Sequence, residues 1–450
     1  MIPLPDAFVQ RMKKQLGEES ELFFQALSSP PVTSIRLHHQ KGKLPFPHAS
    51  KVPWCETGYY LQDRPLFSQD PHWHGGAYYV QEASSMVLDY VITQLSLEQK
   101  PRIWLDMCAA PGGKTGILAK HLGPEDVLLA NEVVGSRRSI LNENLIKAGF
   151  INTFISGEPA TAFTDPLADI ILVDAPCAGE GMMRKDAEAL NQWSQSLVES
   201  CALMQKQITE GAFRALQQDG YLIYSTCSYS PEENMLNVAG FQNQYNLESV
   251  PISFPEAWGI TVMREGDSTG YQLYPHKLRG EGLFIAVLKR TRGDTSGNRK
   301  SGKQKPFFEP IPKWLGAHLA SPEEFMVRKS DDHNELIRQA AMPKATELLE
   351  HIPRAKAVVT AGALKGKDFV PAHALATSGV FSGHFPVIEL PFSTALDYLE
   401  REITSLPEGQ EKGWYVMAFE ETYLGWAKWT GQGWKNHYPM SWRLRNRIRS

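Results

Sequence analysis

IWLDMCAAPGGKTGILAKHL, residues 103–122, reads as a buried strand, a turn carrying two adjacent glycines, and a helix. A Gly pair between strand and helix lets the backbone approach a ligand closely, and the helix N-terminus that follows favours negative charge. Gly-Lys-Thr also raises the possibility of a phosphate-binding loop. That pattern needs a glycine five positions before its second one, and Cys108 stands there, so the phosphate cradle is incomplete.

Downstream, the apolar runs VLLANEV (127–133), ADIILVDA (168–175) and YLIYST (221–226) look like further buried parallel strands. Between them lie GKTGILAKHL, SRRSILNENLIKAG and NQWSQSLVESCALMQKQITEGAFRAL, each helical in pattern. GLFIAVLKR (282–290) reads as a closing, antiparallel strand. This βαβ rhythm predicts an α/β fold, a doubly wound Rossmann-like sheet whose ligands sit at the carboxyl ends of its strands.

The flanks differ from this core. Residues 1–75 open with a helical segment, AFVQRMKKQLGEESELFFQAL, followed by Pro-rich, strand-like pieces, which predicts a small α+β domain. TRGDTSGNRKSGKQK (291–305) lacks apolar residues and reads as a basic flexible linker over 291–306. Beyond it we expect an intermediate subdomain over 307–377 and a β-rich C-terminal domain over 378–450. Trp414, Tyr415, Phe419, Tyr423, Trp426, Trp429, Trp434, Tyr438 and Trp442 crowd the latter, as core residues of a small domain or as stacking surfaces for bases.

Bulk properties narrow the classes. A net charge of -4 excludes a uniformly basic nucleic-acid coat, so RNA contact would fall to local patches. No apolar run has membrane-spanning length, and MIPLPDAFVQRMKKQLGEE lacks a signal-peptide pattern. The five cysteines include no C-x-x-C pair, which predicts free thiols in a reducing cytoplasm and no metal site. Cys201 falls mid-helix beside Leu203 and Met204, and Cys55 has no chemical context. Cys177 and Cys227, by contrast, end two strands on the edge that carries the glycine turn. Glu132 ends the second strand about 20 residues after that turn, placed to accept hydrogen bonds from ribose hydroxyls.

Taken in order, DMCAAPGGKT, NE, DAPCAGEG, STCSYSPEEN and LYPHKLRGEGLFIAVL resemble the motif set of the NOL1/NOP2/Sun family of RNA cytosine-5 methyltransferases. PPVTSIR and GAYYVQEASSMV match its N-terminal pieces. FPVIEL and YLGWAKWTGQGWKNHYPMSWRLR resemble the PUA-like region of the bacterial 16S rRNA branch, RsmF/YebU-like enzymes. The resemblance implies a methyltransferase core over 76–290 and S-adenosylmethionine as cofactor. Cys108, Ala109, Ala110, Pro111, Gly112, Gly113 and Lys114 would contact that cofactor, Glu132 would hold its ribose, and Arg137 would lie near it. Where the family carries an Asp after the third strand, this chain has Glu158.

It further implies Cys227 as nucleophile, Cys177 as the residue that assists release, Asp174 serving cofactor and base, and Lys114 pointing to the base. The chemistry suits them. A thiolate adding to C6 makes C5 of cytosine able to attack a sulfonium methyl, and a hydrogen bond or proton at N3, expected from Asp174, helps the addition. The expected partner is RNA, most simply 16S rRNA or the small ribosomal subunit, bound by a monomer. Alternatives are a tRNA cytosine-5 methyltransferase and a noncatalytic RNA-binding assembly factor. Arg184, Lys185, His276, Lys277 and Arg279 are candidate RNA contacts, as are Arg443, Arg445, Arg447 and Arg449 of the tail.

Overall fold

The computed structural model describes residues 4–41, 44–291, 306–330, 333–402, 406–407, 410–445 and 447. Ten strands build the central sheet: β1 (Ile103–Asp106), β2 (Val127–Asn131), β3 (Thr153–Ser156), β4 (Ala168–Asp174), β5 (Leu216–Thr226), β6 (Leu247–Ser249), β7 (Thr261–Glu265), β8 (Ser268–Leu273), β9 (Leu283–Arg290) and β10 (Lys356–Ala357). The order runs β7-β8-β9-β5-β4-β1-β2-β3-β10, with β6 on β9. The β1 to β5 pairings are parallel, and β9 joins β5 antiparallel, as the sequence predicts.

Ile103, Trp104, Leu105, Leu128, Leu129, Leu172 and Val173 are fully buried, because helices and flanking domains cover both faces. From β1 the parallel strands run to β2 and β3 on one side and to β4 and β5 on the other, so the crevice at the carboxyl ends of β1 and β4 is the topological switch point.

Helix α1 (Gly113–Lys120) starts at Gly112, whose φ of 110° is open to glycine and costly for other residues. Helix α2 (Gly135–Ala148) stops at left-handed Gly149. The long helical pattern of 191–216 is two helices, Ala187–Gln192 and α3 (Gln195–Ala215). They separate at Trp193 and Ser194, where the Ser194 hydroxyl caps α3 by accepting the Leu197 N–H at 3.1 Å.

The N-terminal unit extends past the expected boundary at residue 75: its four-stranded sheet includes Tyr78–Val80, paired with Ser34–Leu37. Buried Arg36 donates from this sheet to Gln81 Oε1 at 2.8 Å and to the carbonyls of Gly113 and Gly116 in α1. A side chain at Gly116 would place Cβ 2.4 Å from the Arg36 guanidinium, so glycine there is what admits the arginine. The opening helices, Asp6–Leu16 and Ser20–Leu27, bury Phe8, Met12 and Phe23 against Ala178, Met183, Trp193 and Tyr229, beneath the loops that carry Cys177 and Cys227.

Residues 292–305 of the expected linker lie outside the described residues. The intermediate region is not separate from the core: β10 pairs antiparallel with β3, Lys356 opposite Ile155. The C-terminal sheet contains strands Gly413–Phe419 and Thr422–Trp429; Tyr438 and Tyr398 fill its core, while Trp426 packs against Phe381 and Phe385 in the main core. It folds back on the N-terminal unit, where His74 Nδ1 meets the Tyr438 hydroxyl at 2.9 Å and His72 meets Thr422 at 2.9 Å. Thr377 also donates to the Ile146 carbonyl of α2 at 2.6 Å. Among the described residues no helix is long and apolar enough to cross a membrane, and no His, Cys, Asp and Glu group could hold a metal ion.

Candidate functional site

The parallel pairing of β4 and β5 carries Asp174 directly opposite Ser225. One loop beyond each strand end, Cys177 and Cys227 bring their Sγ atoms to 3.0 Å, both as free thiols. The hydrogen bond shared with Cys227 and burial together push the Cys177 thiol up. Lys114, from the first turn of α1, reaches across to Asp174 at 2.8 Å, and Asp174 also accepts the Ser225 hydroxyl at 2.8 Å. Burial alone would lower the Lys114 ammonium, but the Asp174 carboxylate outweighs it and the net shift is upward. Nucleophile candidate, second thiol, acceptor and cation therefore share one cleft at the switch point.

On the other side of β1, the Cys108–Lys114 turn is tied to the end of β2 through Ala109 N–H to Asn131 O at 2.9 Å. Arg137 donates to the Ala110 carbonyl at 3.0 Å, and Asn144 to that of Pro111 at 2.8 Å. Cys108 is half-buried in the turn, and burial pushes its thiol up, which removes it from thiolate chemistry. Glu132 uses Oε1 to accept the Val134 N–H at 2.9 Å. Its buried Oε2 accepts no hydrogen bond, with Arg137 Nη1 3.4 Å away. Asp106 resembles it: Thr115 donates to Oδ2 at 2.7 Å while buried Oδ1 has no partner. Burial pushes Asp106 up to about 7. Two buried carboxylates with idle oxygens flank a glycine turn. They fit a ligand that brings an ammonium and vicinal hydroxyls, both present in S-adenosylmethionine.

The residues expected to bind and react thus gather at one edge. Glu158 follows β3, anchored by its backbone N–H to Asn131 Oδ1 at 2.9 Å. Sequence reading passed over Asp106, Ser225, Glu180, Ser228 and Glu233. Each lay inside a quoted motif, and the available signal was a polar residue recurring where a strand end turns apolar.

The proposed RNA contacts fare unevenly. Arg184 is buried, bound to Glu281 at 2.5 Å and donating to the carbonyls of Ala26 and Gly280 at 2.9 Å, so it ties the opening helices to the core rather than facing RNA. Lys185 shares Glu281 at 3.3 Å, while Lys277 and His276 pair with Glu19. The Arg279 guanidinium lies over the Tyr60 ring at 4.4 Å. In the tail, Arg447 is bound to Asp397 at 2.5 Å, and Arg449 lies outside the described residues.

Comparison with known proteins agrees with this layout. A family model for the 16S rRNA methyltransferase RsmB/F matches residues 92–289. Models for the N-terminal domain of 16S rRNA methyltransferase RsmF and for the methyltransferase RsmF PUA domain match 4–83 and 385–444. The ribosomal RNA small subunit methyltransferase F of Vibrio cholerae (strain M66-2) is 30% identical over 475 residues, covering 97% of each chain. That of Erwinia tasmaniensis is 35% identical over 328 residues, 68% of each. Among solved structures, a methyltransferase homolog protein from Pyrococcus horikoshii aligns with a TM-score of 0.54 at 26% identity, covering 64% of this chain and 96% of that one. NSun6 from Pyrococcus horikoshii aligns at 0.53 and 19% identity, covering 64% and 99%, a likeness of fold.

Proposed function

The chain belongs to the family of the ribosomal RNA small subunit methyltransferase F, S-adenosylmethionine-dependent RNA methyltransferases, and on that premise we propose that it methylates C5 of a cytosine in 16S rRNA through a covalent adduct on Cys227. The observation that carries the reading is the pair of thiols 3.0 Å apart beside Lys114 and Asp174. A methyltransferase acting on an exocyclic nitrogen or a ribose oxygen has no use for two thiols, because those atoms already hold a lone pair.

Cytosine C5 does not. The Cys227 thiolate forms a bond to C6, and the C5=C6 π pair moves to C5, the carbon to be methylated. The Cys108–Lys114 turn, Glu132, Arg137, Glu158 and Asp174 would hold S-adenosylmethionine, which would supply the sulfonium methyl for the C5 carbanion and leave as the neutral thioether. Lys114 donates to the ring and offsets charge that develops there. Asp174 accepts from both Lys114 and Ser225, so it serves the base as an acceptor, while Lys114 supplies the hydrogen that sequence reading asked of Asp174. Release requires loss of the C5 proton and cleavage of the S–C6 bond, whose electrons return to Cys227. Cys177, within hydrogen-bond distance of Cys227, is the group placed to accept that proton, as a thiolate at that step, and to pass it on to solvent. Reaching C5 requires a cytosine out of its stack, in a loop or flipped.

The test uses 16S rRNA carrying tritium at cytosine C5. Methylation at C5 releases one tritium to water per methyl group transferred. Methyl transfer without tritium release would overturn the reading. The same measurement on tRNA decides between the two RNA substrates.

A further inference from the structure

We propose that Glu180, Ser228 and Glu233 are positioning residues for this reaction: a buried clasp, holding one proton between two carboxyl groups, that sets where Cys177 stands relative to Cys227. The inference rests on the two-cysteine chemistry proposed above.

The β4–β5 ladder ends at Asp174 and Ser225, before either cysteine is reached. Past that point two backbone bonds join the loops, Ala175 N–H to Ser225 O and Gly181 N–H to Cys227 O. Side chains do the rest, and they cross. Glu180, on the Cys177 loop, accepts the Tyr229 N–H at 2.6 Å, the Ser228 hydroxyl at 3.0 Å and the Ser230 hydroxyl at 2.7 Å. It accepts the Trp193 indole N–H at 2.8 Å as well. Glu233, on the Cys227 side, accepts the Ala178 N–H at 2.9 Å and the Gln205 amide at 3.0 Å, and meets the Ser228 hydroxyl. Each carboxyl belongs to one loop and grips the residue that follows the other loop's cysteine.

Counting hydrogens locates the proton. Both carboxyls are 0% exposed, and among the described residues neither forms an ion pair with Lys, Arg or His. Ser228 Oγ stands 3.0 Å from Glu180 Oε2 and 2.5 Å from Glu233 Oε2, and it accepts the Ser230 N–H at 3.1 Å. A hydroxyl has one hydrogen, so it donates to one carboxyl, and the contact with the other requires a hydrogen on that carboxyl. Glu180 already accepts donors on both oxygens, which leaves Glu233 Oε2 as the site. Burial, which pushes Glu233 up to about 7, agrees. The chain is Glu233 to Ser228 to Glu180, each donating onward. Among the described residues neither carboxyl hydrogen-bonds a cysteine sulfur, so the set acts on the pair through placement.

This makes an asymmetric prediction. In Glu233→Gln the amide NH2 replaces the acid O–H toward Ser228 and the amide oxygen still accepts Ala178 and Gln205. In Glu180→Gln any orientation turns NH2 against donors. The full-length chain is assayed for tritium release, for the share of protein held as covalent RNA adduct during turnover, and for its unfolding midpoint. Glu233→Gln stays within about threefold of wild type, since every bond is kept. Glu180→Gln and the milder Ser228→Ala slow turnover at least about tenfold and raise the adduct share, because a displaced Cys177 impairs release more than attack. Equal loss in Glu233→Gln and Glu180→Gln would overturn the shared proton. Slowed turnover in folded Ser228→Ala with no rise in adduct would overturn the positioning role. A wild-type chain that shows neither tritium release nor adduct refutes the underlying chemistry instead.

Discussion

Replacing Cys177 with Ala should convert the protein from a turnover catalyst into one that captures its RNA. The two sulfurs are 3.0 Å apart, so the variant removes the group placed to move a proton at release and leaves the attacking group in place. A positioned acid or base contributes roughly 10²–10⁴-fold to a proton transfer. From a typical turnover of about 10 s⁻¹, release would fall to between about 0.1 and 0.001 s⁻¹. An adduct then lives from about ten seconds to tens of minutes, long enough to be caught by denaturation and seen as a protein–RNA band of reduced mobility. Losing one half-buried sulfur costs on the order of 1 kcal/mol, so the fold survives. Incubation with 16S rRNA and cofactor, followed by denaturing electrophoresis, reads the outcome, with Cys227→Ala as the matched control. Normal turnover by Cys177→Ala without an adduct, or an adduct in Cys227→Ala, refutes the assignment of roles.

Glu132→Ala should weaken cofactor binding about 10- to 100-fold, the worth of charge-assisted hydrogen bonds to a ribose, as read by calorimetric titration with S-adenosylmethionine. Arg184→Ala leaves Glu281 buried with the Lys185 ammonium at 3.3 Å and the Val32 N–H at 3.1 Å, and should cost about 3 kcal/mol in a denaturant titration. The salt dependence of RNA binding should not change in that variant, whereas a phosphate contact would lower its slope by about one. Acid should loosen the contact between the N-terminal and C-terminal units. Burial, then Lys147, holds His74 and His373 down to about 3 from the ordinary 6.5. A depressed folded value means that the stability is present above about 6.5 and drains away as pH falls toward about 3, because the opened form takes up protons first. Limited proteolysis across that range, with His373→Phe as the variant that should resist the change, checks the sign.

The core was legible because its signals are local. Four apolar runs with glycine-bearing turns specify parallel strands, and a strand end specifies an edge, so Cys177, Cys227, Lys114 and Asp174 could be placed together before any coordinates. Most of what escaped depends on contacts between distant segments, and one break on a local cap. The NQW break turns on Ser194 competing as a cap within a continuous helical pattern. The boundary at residue 75 failed because Tyr78–Val80 finds its partner more than forty residues upstream, at Ser34–Leu37. Arg184 reads as a free cation after the Pro-Cys loop, and only the fold brings Glu281 and the Ala26 carbonyl to it. Glu180 and Glu233 sit in plain view within DAPCAGEG and STCSYSPEEN, yet their partners lie on each other's loops.

The strand β10 bears on how this chain is made. Its residues, Lys356–Ala357, close the β3 side of a sheet whose other strands end at residue 290. During synthesis at about 5–20 residues per second, the nascent sheet waits several seconds with β3 open, its unpaired amides and carbonyls a template for another chain. Gene fragments that stop before β10 should therefore yield aggregates in place of a smaller enzyme.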